Sequence, residues 1–320
     1  MSELNVQKIT GVTDLTGTAF VAVFDQANNA LTNTAVAFNQ ANTATTIGVS
    51  AFAKANIAVV NVQSFDSSGT WNKPTGYAAT SRVLIEVWGA GGSGARSSVA
   101  NAAGGGGGGG YNSRWLNLSA MGSTETVTIG LGGASRTTTN QPGAAGGNTS
   151  VGSLVVAYGG GAGANNTIAS GQGGGGGGQL SAGQSAAFNS SSPSTGGKPY
   201  ISIGDEAEAS AEDFRHGSSP RTAISADLAS YIHGGGGGSA VTGGGTAYTS
   251  GADSLYGGGG GGATSTGAMG PGGTSTYGGN GGAAGATGGT GTQPGGGGGG
   301  GTSTSGAGGD GRAIVTVFPG

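Results

Sequence analysis

Uninterrupted glycine runs limit what this chain can fold into more than any other feature of the sequence. Five runs of five to seven glycines occur, at residues 104–110, 173–178, 234–238, 257–262 and 295–301. Glycine loses more conformational freedom on folding than any other residue. Such runs therefore either remain disordered or are held in place by an unusually complete set of backbone hydrogen bonds.

The rest of the composition argues against disorder and against several functions. Glycine supplies 79 of the 320 residues, but charged residues make up only 8% and the net charge is −3. Disordered chains usually combine few apolar residues with a high net charge. A chain without a basic excess is not expected to bind nucleic acid, because that binding depends on neutralising phosphates. The chain has no cysteine and two histidines, so we predict no metal and no cofactor.

Polyglycine can also form an ordered structure. An extended left-handed helix with three residues per turn rises about 3.1 Å per residue and directs its backbone N–H and C=O groups outward. Rods of this kind can bond to neighbours on all sides, provided that no side chain keeps the neighbours apart. Residues 104–110 would form a rod roughly 22 Å long. We therefore predict length-matched glycine rods packed side by side, and we expect Gly259→Val to disrupt that packing.

A helical stalk is predicted near the N-terminus. Three segments share the pattern Phe-x-x-Ala-Asn at a spacing of 14 residues, which equals two heptads. A narrow apolar stripe of this kind favours an oligomeric α-helical coiled coil, and bulky phenylalanines in the core favour a trimer. A helical hairpin or a loosely helical linker is the alternative interpretation. The predicted core positions of this stalk, residues 20–62, are Phe24, Leu31, Phe38, Phe52 and Val59.

Beyond the stalk, short segments rich in β-branched and aromatic residues predict a mainly β fold. We expect a small antiparallel sandwich, the β-framework, at residues 63–158, closed by a final strand at 312–318. The glycine-rich distal region at 159–311 precedes that closing strand, and its glycine runs are expected to be polyglycine-II-like. The other predicted strands lie at 82–88, 111–118, 124–130 and 153–158.

A polar insert interrupts the glycine-rich region at residues 179–233. It holds six of the fourteen acidic residues of the chain, together with several aromatic and basic residues. A loop rich in charged and aromatic residues, on a scaffold made mostly of small residues, favours a role in binding a receptor. Contact with a neighbouring subunit is the alternative interpretation. The candidate receptor-binding residues are Tyr200, Asp205, Glu206, Phe214, Arg215, His216, Arg221 and Tyr231. Five tyrosines next to or near glycine-rich segments could cap rods or stack on sugars: Tyr111, Tyr158, Tyr248, Tyr256 and Tyr277.

The acidic residues of the insert do not form a catalytic pattern. Glu206, Glu208 and Glu212 are close in sequence on a polar loop, where carboxylates are usually solvated rather than held at the separations that glycoside hydrolysis needs. We therefore predict no catalytic residue and no enzymatic activity.

Several motifs resemble the glycine-rich domain found in many bacteriophage tail-fibre proteins. They are GTWNKPTGYAATSRVLIEVWGAGGSG, GGGGGGGYNSRWLNL, ETVTIGLGG and, at the end, GGDGRAIVTVF. The Phe-x-x-Ala-Asn repeats are similar to stalk repeats in the fibres of marine phages. The resemblance implies a structural virion protein, often trimeric, that contacts the host surface.

The resemblance also implies partners and a location. The expected partners are further copies of the chain in a homotrimer, other virion tail or baseplate proteins bound through residues 1–19, and a bacterial surface receptor. That receptor would be a polysaccharide or an outer-membrane protein. The protein would be made in the host cytoplasm and would act on the virion, as a tail fibre at the host cell surface. The alternative is a purely structural fibre that decorates the capsid or tail without binding a receptor.

Overall fold

Two units of the chain are visible in the computed structural model. It describes residues 17–56, 59–98, 101–166, 170–187, 233–241, 248–265 and 268–320. The units are Met1–Val59 and Val60–Gly320. The first contains one long helix, and the second contains all of the described strands.

The helix of the first unit, α1, spans Gly17–Asn56. Its residues 28–47 are all exposed. Two predicted stalk positions, Leu31 and Phe38, are 71% and 67% exposed, whereas the side chains of Phe24 and Phe52 lie outside the described part. Five threonine hydroxyls donate to the carbonyl four residues earlier: Thr32, Thr34, Thr43, Thr45 and Thr46. No helix within the described residues combines the length and apolarity that a membrane crossing requires.

The helix ends at Asn56 rather than at Val62, so the predicted stalk extends too far. Val59 lies after the helix, and Val62 belongs to the first strand, where it pairs with Thr316. The segment from Val59 to Val62 is rich in β-branched residues, which lose side-chain freedom in a helix and pack well in a sheet. Pairing with the end of the chain therefore overrides the heptad pattern at this point.

The described part of the second unit contains short strands, numbered β1 to β16, and one 3-10 helix, Leu118–Ala120. The first eight strands are β1 Asn61–Phe65, β2 Gly69–Asn72, β3 Arg82–Trp88, β4 Ala102–Ala103, β5 Tyr111–Asn117, β6 Thr124–Thr128, β7 Thr149–Val151 and β8 Val155–Ala157. The others are β9 Asn165–Asn166, β10 Ser170–Gly171, β11 Ala240–Val241, β12 Thr264–Ser265, β13 Ala268–Met269, β14 Gly285–Thr287, β15 Gly301–Thr304 and β16 Arg312–Val317.

Eight of these strands form a sandwich of two four-stranded antiparallel sheets. The first sheet has the order β1-β16-β3-β5 and the second has the order β2-β6-β7-β8. β16 lies between β1 and β3, so the last strand of the chain completes the first sheet. The two sheets pack face to face through β3 against β7 and β8. The fold is therefore mainly β, as the sequence predicts.

Alternating apolar residues fill the space between the two sheets. In β3, Val83, Ile85 and Val87 are fully buried, and the residues between them face the other side. A strand places successive side chains on opposite faces, so one face of the first sheet is buried and the other is partly exposed. The buried cluster also contains Trp71, Leu118, Met121, Val127, Ile129, Val151, Val155, Ala157, Ala313, Val315 and Val317.

A second kind of core lies beside the sandwich and contains almost no side chains. We call it the glycine lattice: the five glycine runs, all buried, together with residues 89–97, 141–147, 158–164, 278–282, 289–292 and 306–311. These segments, called rods below, are connected by backbone hydrogen bonds from one to the next. The sandwich buries side chains, whereas the lattice buries the backbone itself.

The run at 104–110 shows how the rods are bonded. Each of its seven N–H groups donates to another rod, with N···O distances of 2.7–3.0 Å. Successive N–H groups donate to three neighbouring segments in turn, so every third residue donates to the same segment. This is expected for a helix with three residues per turn. The acceptor segments are residues 158–164, 235–238 and 295–298. The seven carbonyl groups accept in turn from three other segments, residues 89–95, 174–177 and 258–261.

No side chain fits at these positions. A Cβ atom placed on any glycine from Gly104 to Gly110 would lie within 3 Å of a carbonyl oxygen of a neighbouring rod. Real Cβ atoms essentially never approach other atoms so closely. The runs at 257–262 and 295–301 also bond to several neighbouring rods, and they are likewise glycine throughout.

One rod admits side chains on a single face for most of its length. Ala90, Ser93 and Arg96 recur every third residue, and their N–H groups donate to residues 141–147. The Ser93 hydroxyl also accepts from the N–H of Ala144, at 2.8 Å. Every third residue of a three-residue helix lies on the same face. The spacing of non-glycine residues therefore reports which face of this rod has room.

The lattice has a near end, beside the sandwich, and a far end. Gly89 and Gly110 mark the near end, because they directly follow β3 and precede β5. At the far end, β13, β12, β4 and β9 form a small sheet, and β10 pairs with β11. A buried cluster of small side chains lies there, formed by Ala102, Ala240 and Ala263.

Candidate functional site

The eight candidate receptor-binding residues, from Tyr200 to Tyr231, lie outside the described residues. The described part of the insert is 179–187 together with His233. Its residues 183–186 are hydrogen-bonded to rod 158–164, because Gly183 donates to the carbonyl of Gly159 and Ala186 donates to that of Ala162. The first residues of the predicted insert therefore contact the lattice directly.

The far end of the lattice carries connections between rods. Four of them contain residues outside the described part, at 99–100, 167–169, 242–247 and 266–267, and each is flanked by described far-end residues. The far end also buries polar side chains, namely Asn165, Gln172, Ser239, Thr249, Thr264 and Ser265. Tyr248 lies at this end too and is 38% exposed.

At the near end, four aromatic side chains form a continuous stack, which we call the aromatic ladder: Trp88, Tyr111, Tyr256 and Tyr277. Successive ring centroids are 5.1, 5.2 and 5.1 Å apart. The three tyrosine rings are stacked, with interplanar angles of 20° and 14°, and the Trp88 ring is tilted by 53°. Both geometries are favourable for aromatic pairs.

The order of the ladder follows the order of the rods. Trp88 precedes rod 89–97, Tyr111 follows rod 104–110, Tyr256 precedes rod 257–262, and Tyr277 precedes rod 278–282. Each of these rods is hydrogen-bonded at its near end to the next one, from Gly89 to Gly110, from Gly258 to Gly109 and from Gly259 to Gly279. Rods that lie side by side therefore bring their terminal rings into contact.

Polar contacts hold the ladder in place. The indole Nε1 of Trp88 donates to the carbonyl of Tyr256 at 2.7 Å. The hydroxyl of Tyr111 donates to the carboxylate of Glu86 at 2.8 Å. Burial raises the pKa of Tyr111 to about 12, and the hydrogen bond to Glu86 acts in the same direction. The Tyr111 hydroxyl therefore stays protonated and remains a donor at neutral pH.

A cleft of about 320 Å³ opens beside the ladder. Tyr256, Tyr277 and Trp88 form one part of its wall, and residues on the outer face of the first sheet form another. Tyr277 is 59% exposed and ends the described ladder. The remaining lining residues are Glu86, Pro294, Arg312 and Ile314.

Comparison with known proteins places this architecture in a family. A profile of the glycine-rich domain matches residues 64–318. The chain belongs to the glycine-rich domain family. The matched span begins in β1 and ends just after β16, so it covers the sandwich and the lattice together. No curated protein is significantly similar to the chain.

Within the described residues, no group of three or more His, Asp or Glu side chains could hold a metal ion. Sequence reasoning identified Tyr111, Tyr256 and Tyr277 but missed Trp88 and Glu86. The signal that applies to Trp88 is an aromatic residue directly before a glycine, as at Tyr256 and Tyr277, whereas Glu86 has no glycine beside it.

Proposed function

We propose that the protein is a structural, non-catalytic fibre protein of a bacteriophage whose glycine-rich unit presents loops to the surface of a bacterial cell. One observation carries the proposal: four connections leave the same end of a lattice whose interior rods leave no room for side chains. Rigid scaffolds commonly carry binding residues on loops at one end. The similarity of the motifs to tail-fibre domains supplies the biological setting.

The polar insert is the main candidate for the contact with the cell. It leaves the lattice after Ala187 and returns at His233, whose carbonyl accepts from the Ser254 hydroxyl at the near end. The candidate residues Tyr200 to Tyr231 all fall within this segment. A polysaccharide or an outer-membrane protein is the proposed receptor, and the virion tail is the proposed location.

A replacement variant tests this proposal. Residues 188–232 are replaced by a flexible Gly/Ser linker of about eight residues, which can span about 26 Å. Labelled wild-type protein is first applied to a panel of bacterial strains to find a strain that it coats. The variant should bind that strain at least tenfold less tightly, with an unchanged midpoint of thermal unfolding. Equal binding by both proteins would favour the purely structural fibre instead.

We further propose that α1 forms a homotrimeric stalk and that residues 1–19 attach it to other virion proteins. Leu31 and Phe38 are seven residues apart and exposed on the isolated helix. Burying each would stabilise the assembly by roughly 1.5–3 kcal/mol. Light scattering should give three times the chain mass of 29.7 kDa.

A pair of variants separates a specific stalk from general association. Phe38→Asp should dissociate the trimer, because it places a charge at a core position. Gln40→Asp is the matched control, since Gln40 lies about 200° further round the helix. A monomeric wild-type protein, or dissociation by both variants alike, would contradict the stalk.

A further inference from the structure

We propose that the cleft beside Tyr277 is a binding site for a neutral saccharide. The cleft lies at the near end of the lattice, opposite the far-end loops. The assignment of this site does not depend on the virion assignment.

The aromatic side chains that line the cleft become more exposed along the ladder from Trp88 to Tyr277. Trp88 is 6% exposed, whereas Tyr256 and Tyr277 are 37% and 59% exposed. Tyr277 is the last ring of the described ladder and is more than half exposed, so part of its ring surface is accessible to a ligand. Sugar rings have an apolar C–H face that packs against an aromatic ring, and the cleft presents such a ring at its mouth.

The opposite wall supplies groups that both donate and accept hydrogen bonds. The Glu86 carboxylate has about four acceptor positions, and the Tyr111 hydroxyl occupies one of them. The Arg312 guanidinium has five N–H donors, and its Nε–H bonds to Asp66 at 2.6 Å. Hydroxyl groups at the rim of a sugar can bond to both. A ligand without hydrogen-bonding groups would desolvate Glu86 and Arg312 without compensation.

Charge and size narrow the class of ligand. Among the residues that line the cleft, Glu86 is acidic and Arg312 is basic, and the Arg312 guanidinium is already paired with Asp66. An anionic ligand would face the Glu86 carboxylate and would compete with Asp66 for Arg312, which disfavours phosphorylated or carboxylated sugars and nucleotides. A volume of about 320 Å³ is at the lower end for small-molecule pockets. These properties favour a short neutral oligosaccharide or the end of a longer one.

A glycan array tests the assignment, with neutral and anionic oligosaccharides as its two arms and the full-length protein as the probe. Wild-type protein should bind at least one neutral saccharide. Tyr277→Ala should weaken that binding at least tenfold, because it removes the stacking surface. Glu86→Gln should weaken it about threefold or more, and it keeps an acceptor for the Tyr111 hydroxyl. Glu86→Gln decides the question if Tyr277→Ala does not fold.

The matched control is Trp115→Ala, which removes a 51% exposed ring of the same sheet outside the cleft and should leave binding unchanged. The variant that lacks residues 188–232 should still bind the saccharide. Loss of binding in that variant would assign the sugar to the insert and overturn the cleft. The assignment also fails if wild-type protein binds no saccharide or only anionic ones, or if both cleft variants bind normally.

Discussion

The sandwich and the glycine lattice are two cores of one unit, and they exclude water in opposite ways. Between the sheets, side chains such as Trp71 and Ile85 fill the space. In the lattice, backbone hydrogen bonds connect rods that contact each other directly. Space filled by side chains can be refilled by others of similar volume. Space defined by the contact of backbones admits no added atom, so equal changes should have unequal effects in the two cores.

The largest effect is expected from adding one methyl group to the centre of the lattice. In Gly106→Ala, the new Cβ would collide with the carbonyl of Gly92. Moving the rod would weaken its hydrogen bonds to several neighbours at once. We expect the free energy of unfolding to fall by more than about 3 kcal/mol, as measured by urea denaturation followed by circular dichroism.

Gly69→Ala is the control for this substitution. Gly69 lies in β2, and a Cβ there would meet nothing closer than the Phe65 ring, at 3.6 Å. The change in stability should stay within about 0.5 kcal/mol. Equal destabilisation by both substitutions would show that glycine content, and not rod contact, limits the fold.

Removing one methyl group from the sandwich should cost less. Ile85 is fully buried between the sheets, and Ile→Val substitutions in protein cores typically destabilise by about 1 kcal/mol. The same urea titration measures Ile85→Val beside Gly106→Ala. If the two variants lose equal stability, the proposed difference between the cores is wrong.

Tyr111 lies between the sandwich and the lattice, and the stability that it contributes should fall at alkaline pH. Tyr111 has a pKa of about 12 in the folded protein, raised from 10.0. The unfolded chain therefore releases this proton first, and the stability that it contributes below pH 10 is lost as pH rises toward 12. Tyr111→Phe should show a shallower fall in unfolding free energy between pH 10 and 12. Parallel curves for the two proteins would show that Tyr111 does not carry the effect.

The smallest effect is expected from the ion pair between Asp66 and Arg312. Their side chains are 57% and 34% exposed, and exposed ion pairs contribute about 0–1 kcal/mol. Asp66→Asn should lower the free energy of unfolding by less than about 0.5 kcal/mol. The difference should disappear in 1 M salt, where charges are strongly screened. A larger loss that persists in salt would indicate a packing role for Asp66.

Much of the sandwich could be predicted from the sequence, because side-chain alternation carries the information. The strand predicted at 82–88 is β3 with the same bounds, and the strand predicted at 312–318 is β16. The predicted end of α1 was wrong because Val62 pairs with Thr316, which lies near the other end of the chain. A heptad pattern within the helix does not indicate such a distant contact. The candidate receptor-binding residues between Tyr200 and Tyr231 stay predictions.

The partners of the rods could not be predicted. Glycine runs differ only in length, so no side chain indicates which run lies beside which. The neighbours of rod 104–110 come from segments spread between residues 89 and 298. Only the hydrogen bonds of the folded structure show which segments these are. The cleft was missed for the same reason, since Glu86 and Tyr277 meet only after the rods are arranged.

The aromatic ladder has a consequence for how the rods are aligned along their length. A run of identical residues that bonds in an order of three offers the same hydrogen bonds after it slides by three residues, about 9 Å. Hydrogen bonding alone therefore permits several equivalent alignments. Sliding would separate Tyr111 from Trp88 and Tyr256, which are 5.1 and 5.2 Å away. The rings thus serve as alignment marks that select one arrangement from many of nearly equal energy.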